Sequence, residues 1–195
     1  MNFFKKLFKS YTETSKEEIN RQPVNLSLDD LFVHHFINKG GKFLYSTSIN
    51  EVIINLENIL KENNWENITC TDFDLLKITQ QLKIKSQDTP NNTIPFFTSC
   101  EHLIANKGDI LFSSNQLGSN KISELSENFI IYATTSQLVK NISEGLTGIK
   151  THFKGNIPTN ISSITNYTIQ KNNDDFLNYG NSNSKNLYLL LFEDL

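Results

Sequence analysis

The run SCEHLIANKGDILFSS, residues 99–114, and its sequel FIIYATTSQLVKNISEGL, residues 129–146, decide the fold. In the first, Thr98 stands three positions before Glu101, the spacing at which a hydroxyl and a carboxylate cap a helix start reciprocally. That spacing predicts a short helix running to about Asn106. Gly108 then supplies a residue free to take positive φ, and Asp109 opens Ile110, Leu111 and Phe112, a buried strand that ends in hydroxyls. In the sequel, Phe129, Ile130, Ile131 and Tyr132 make another short apolar strand, and Thr134, Thr135 and Ser136 follow as candidate N-caps. Leu138, Val139, Ile142, Leu146 and Ile149 recur at helical spacing, so a helix is expected directly after them. Strand, polar turn, helix is the repeating unit of an α/β protein, in which ligands settle where strands end and helices begin. Any pocket is therefore expected near Ser113, Ser114 and Thr134.

Three runs, LIANKGDILFSS, ISELSENFIIYATTSQLVKNISEGL and NIPTNISSIT, resemble the lactate-utilisation (LUD) domain family, with the likeness extending over about residues 40–195. The resemblance implies a three-layer α/β fold with a largely parallel central sheet flanked by helices, like the NagB/RpiA/CoA-transferase group. It also implies a function: an accessory component of lactate or related organic-acid utilisation, holding no cluster itself. Such a protein would bind a small anionic metabolite or dock on iron–sulfur oxidoreductase subunits. The wider fold group implies an alternative, an enzyme acting on a phosphosugar or acyl-CoA. Its CoA transferases use a glutamate nucleophile, which makes Glu101 the weak catalytic candidate here. The sequence departs from the family in places. Asn120 and Lys121 stand where relatives often have an arginine, Ser126 or Glu127 replaces a usual proline, and NISSIT lacks both acids of a Thr-Ala-Asp-Ile-Glu tract. A mechanism that needs those acids is not carried over.

Outward from the centre, two regions are expected: an N-terminal amphipathic helix and linker over 1–25, then a single α/β domain over 26–195. The leading segment places Phe3, Phe4, Leu7 and Phe8 on one face beside Lys5, Lys6 and Lys9. It is read as a helix that packs on the body or on a second copy, so a homo-oligomer is one option. It lacks the continuous apolar core of a signal peptide, and no run approaches a transmembrane span. Ser27 and Asp30 can cap a helix whose face is Leu28, Leu31, Phe32, His35 and Phe36, stopped by Gly40 and Gly41 before a strand at 42–46. Ser48 and Glu51 cap the next, with Val52, Ile53, Leu56, Ile59 and Leu60 inward. A strand at 68–71 and a helix capped by Asp72 follow, then a polar loop over 83–93. The connection at 115–128 is long enough to fold over a pocket mouth. The chain closes on residues 187–192, an apolar run expected as a strand buried on both faces at the sheet centre.

A chain of 195 residues can bury roughly 70 % of its unfolded surface, and fourteen Phe against one Met and one Trp point to an aromatic-weighted core. Net charge is −3, which offers no field attractive to nucleic acid. Cys70 and Cys100 form no C-x-x-C pair, so neither an iron–sulfur cluster nor a structural metal is expected, and reduced, buried thiols in a cytoplasmic protein are. Cys100 and His102 cannot face one another on one helix, which removes a Cys–His nucleophile. His34 and His35 are adjacent rather than four apart, and neither a dinucleotide fingerprint nor a P-loop occurs, so no cofactor is predicted. What remains is a set of hydroxyls and free N–H groups suited to a phosphate or carboxylate. The candidate ligand-binding residues are Thr98, Ser113, Ser114, Thr134, Thr135 and Ser136, with Gln116 and Lys121 as neutral and cationic partners.

Overall fold

The computed structural model describes residues 26–168 and 183–194, so the expected helix and linker over 1–25 lie outside the described residues. The first described helix, α1 (Leu28–Asn38), begins where Ser27 Oγ accepts from Asp30 N, as its spacing predicts. It buries Phe32 and Phe36 completely. Gly41 follows because a Cβ there would run into the Phe36 ring, so only a glycine lets the chain pass into β1 (Lys42–Ser46). The helix α2 (Ile49–Glu62) starts at Ser48, and Glu51 reaches back to the N–H and hydroxyl of Thr47. After β2 (Asn67–Thr69), Asp72 caps α3 (Phe73–Gln81) through the N–H groups of Asp74 and Leu75. The short β3 (Lys85–Gln87) lies inside the stretch expected as loop.

Beyond these come β4 (Phe96–Thr98), β7 (Asn128–Thr134) and β10 (Asn186–Phe192), and together the strands make a six-stranded sheet in the order β1-β10-β7-β4-β2-β3. Every pairing in it is parallel. The apolar run at the end of the chain sits inside the sheet, with Leu189 paired to Phe43 on one side and Ile131 on the other. Side chains alternate across the pleat. Phe97, Ile130, Tyr188 and Leu190 meet Val52, Leu56 and Leu75 of α2 and α3, whereas Phe96, Phe129, Ile131 and Leu189 meet Phe32 and Phe36 of α1. This is the three-layer α/β arrangement, a parallel sheet flanked by helices. Among the described residues, no helix is long and apolar enough to cross a membrane.

The central stretch departs from its sequence reading. Residues 98–106 form no helix. Instead β5 (His102–Ile104) pairs with β6 (Asp109–Phe112) as an antiparallel hairpin, Leu103 opposite Ile110, and Gly108 takes the turn at φ +66°. The Thr98–Glu101 capping box does not form, because Thr98 ends β4 and Glu101 N donates into the hairpin ladder at Leu111 O. The helix expected after Thr134 also begins later. One 3₁₀ turn (Thr135–Gln137) leads into β8 (Leu138–Val139), and α5 (Ile142–His152) starts at Asn141, whose side chain accepts from Glu144 N. With β9 (Ser162–Ile164), drawn from the NISSIT run, these strands form a second sheet ordered β8-β5-β6-β9 in the α1 layer. On its outer side, Ile149 of α5 meets Ile104 and Leu111. Gly145 and Gly148 permit that approach, since a Cβ at 148 would stand 2.8 Å from His102 Nε2.

The connection over 115–128 is not a free lid. It holds the short helix α4 (Ser114–Leu117) and a 3₁₀ turn (Ile122–Glu124), and Leu117, Ile122 and Leu125 are buried in the main core.

Candidate functional site

All six parallel strands point their carboxyl ends the same way, so the turns after β7, β4 and β10 gather at one edge of the sheet, with Thr134 in register with Phe192 and Thr98 with Ile131. Thr134 closes its turn by donating its N–H to Gln137 Oε1 at 2.8 Å, and its hydroxyl lies 2.8 Å from Ser136 Oγ. Three further donors of this turn meet one carboxylate. Thr135 Oγ1 donates to Asp194 Oδ1 at 2.7 Å, Ser136 N to the same oxygen at 2.9 Å, and Ser136 Oγ to Asp194 Oδ2 at 2.6 Å. The slight burial of Asp194 works to raise its pKa, but the bonds from Ser136, Thr135 and Thr134 outweigh it and hold the carboxyl at about 2.

The second hydroxyl-rich tip has the same character. Ser113 is fully buried and caps α4, donating its hydroxyl to Glu101 Oε1 at 2.5 Å, while Asn115 Nδ2 and Gln116 Nε2 donate to that same oxygen at 2.9 and 3.2 Å. Each tip, expected to await an anion, thus holds a carboxylate of the chain. The two tips are joined. Gln137 Nε2 donates to Cys100 O at 2.5 Å and to Glu101 O at 3.4 Å, so the turn after β7 and the Glu101–Ser113 pair belong to one network.

The other predicted residues fall as follows. Ser114 exchanges bonds with Thr159 ahead of β9, its N–H donating to Thr159 O and its Oγ accepting from Thr159 N. Gln116 completes the α4 capping box with Ser113. Thr98 is buried, and its Oγ1 has no hydrogen-bond partner among the described residues. Lys121 does not join the cluster: it is exposed and pairs loosely with Glu124, 3.8 Å away. Cys70 and Cys100 are both free and buried, and burial pushes the Cys100 thiol far up, which fits an inert packing role. His102 Nδ1 lies 3.3 Å from Gln137 O, a brace from the start of β5 to the same turn.

Three participants escaped the sequence reading. Gln137 stands three positions after Thr134 and makes a capping box with it, a local spacing that could have been read. Asn115 sits beside a predicted residue. Asp194 carries no local signal, because its partners are 58 and 59 positions away. A surface groove of about 410 Å³, lined by Leu60, Asn64, Trp65, Leu82, Lys83 and Ile84, lies instead at the carboxyl ends of α2 and α3, the amino-terminal edge of the sheet. In parallel α/β sheets ligand chemistry belongs at the opposite edge, so the turns after β7 and β4 remain the candidate.

A family model described as the LUD domain matches residues 9–192. A search of curated proteins found no match. Among solved structures, a DUF162 family protein from Deinococcus radiodurans superposes with a TM-score of 0.60 at 11 % identity, covering 86 % of this chain and 99 % of that one. At that identity the likeness is one of fold. Ribose 5-phosphate isomerase A from Methanocaldococcus jannaschii gives a TM-score of 0.30 at 16 % identity, over 60 % of this chain and 58 % of that one.

Proposed function

Because the chain belongs to the LUD-domain family, we propose that it is an accessory protein of lactate or related organic-acid utilisation that binds a small carboxylate metabolite at the carboxyl edge of its parallel sheet. The observation that supports this reading is the donor set of the turn after β7. One backbone N–H and two hydroxyls converge there within 2.6–2.9 Å of a carboxylate, the geometry of charge-assisted recognition. Glu101 is engaged by Ser113, Asn115 and Gln116, which favours a bracing role over that of a free nucleophile.

Thermal-shift screening against L-lactate, pyruvate, phosphosugars and CoA esters tests the reading. A ligand at a hundred times its dissociation constant adds about 2.7 kcal/mol, which for a chain of this size raises Tm by roughly 5–11 °C. Small carboxylates are expected to give that shift. Silence from every carboxylate, confirmed by calorimetry, would overturn it.

A further inference from the structure

We propose that Asp194 is an internal competitor at this site: its side chain fills the donor set of Thr135 and Ser136, and a metabolite carboxylate binds by displacing it. The proposal rests on the functional reading above and names how that site is regulated.

The two carboxylates at the sheet edge differ in what their release would leave behind. Removing Glu101 from Ser113 would take the short carboxylate acceptor from a fully buried hydroxyl and from the side-chain amide N–H groups of Asn115 and Gln116, so that contact is a structural lock. Asp194 is exposed, and its partners Thr135 and Ser136 stand at the surface too, so water can satisfy all of them when they part. The displacement is also local. Glu193 N donates to Ser46 O at 2.9 Å, which pins the backbone just before Asp194 to β1 while the carboxylate swings away. Two carboxylates cannot share one N–H and two hydroxyls, since like charges at that distance repel, so an incoming acid and Asp194 exclude each other. The functional group the turn accepts is the one that defines lactate, pyruvate and their relatives.

Calorimetric titration of the full chain with sodium L-lactate and with sodium acetate, at fixed ionic strength, tests this on wild type and Asp194→Ala. If Asp194 fills the site nine-tenths of the time, the variant binds about tenfold more tightly, because apparent affinity scales with the competent fraction. Asp194→Asn, which loses the charge and keeps one acceptor, is expected to gain less, and it serves if the alanine variant does not fold. Equal or weaker binding by a folded variant overturns the proposal while leaving the functional reading intact. Absence of binding by both wild type and variants overturns both. The same gain with sodium chloride as titrant would trace the effect to bare charge and overturn the proposal as well.

Discussion

Gly108→Ala separates two costs that the fold combines at the β5–β6 turn. At φ +66° a residue with a Cβ is strained by about 1–2 kcal/mol. The new Cβ would also stand 2.5 Å from Phe36 N and 2.7 Å from His35 C, backbone atoms of a helix that cannot swing aside as a side chain would. Overpacking of that kind adds about 1–3 kcal/mol, for a total near 2–5 kcal/mol. Gly155 provides the control. Its φ is +84°, but nothing lies within 4 Å of the place a Cβ would take, so Gly155→Ala should cost the backbone strain alone. Urea unfolding followed by the fluorescence of Trp65, the chain's one tryptophan, gives both differences. The Gly108 variant is expected to lose at least about 1 kcal/mol more than the Gly155 variant. Equal losses would refute the claim that α1 presses on this turn. The consequence reaches the site, because the hairpin register sets Glu101 opposite the end of β6 and so brings it to Ser113.

Lys185 is 3 % exposed, donates to Leu125 O and lies over the Phe129 ring, and desolvation pushes its pKa down against the weaker pull of Glu127. Below that lowered value both native and unfolded chains carry the proton and the burial penalty is constant. Between it and the ordinary lysine value only the unfolded chain stays charged, so stability should rise with pH through that window. Lys185→Met should stabilise the protein by about 1–2 kcal/mol at neutral pH and abolish that slope; a less stable methionine variant with the slope retained would contradict the assignment. Glu101→Ala should cost about 1–3 kcal/mol through the buried Ser113 hydroxyl, and Glu101→Gln roughly half as much, both read from thermal unfolding. If neither moves Tm, the Glu101–Ser113 lock is not a structural one.

Some of this was legible in the chain because its causes are local. α2 and α3 were readable from Ser48 and Asp72 at their starts and from apolar residues on one face, and each cap closes within three residues of itself. The last strand was readable because a sheet centre buries both faces, so Leu187 through Leu191 need no alternation. Residues 98–106 failed for the opposite reason. Thr98 and Glu101 stand at capping distance, but β5 gains a ladder on each side, from Ile110 in the neighbouring β6 and from Leu138 in β8, and the second of these lies beyond any local window around Leu103. A short apolar run has no period long enough to tell helix from strand, so pairing at long range decides it.

The hydroxyls at 113 and at 134–136 were likewise visible in the chain, and so was their fitness for an anion. Which anion each one meets was not. Sequence by itself determined the helix–strand alternation over 28–81, the caps at Ser27, Ser48 and Asp72, and the polar tips that follow the strands, since these rest on hydrogen bonds and periodicities spanning a few residues. The second sheet, the brace from Gln137 to Cys100, and the arrival of Asp194 at Thr135 were decided by tertiary structure alone. Parallel strands bring together the ends of segments far apart in the chain, and the chemistry at such an edge belongs to whichever residues the register sets side by side.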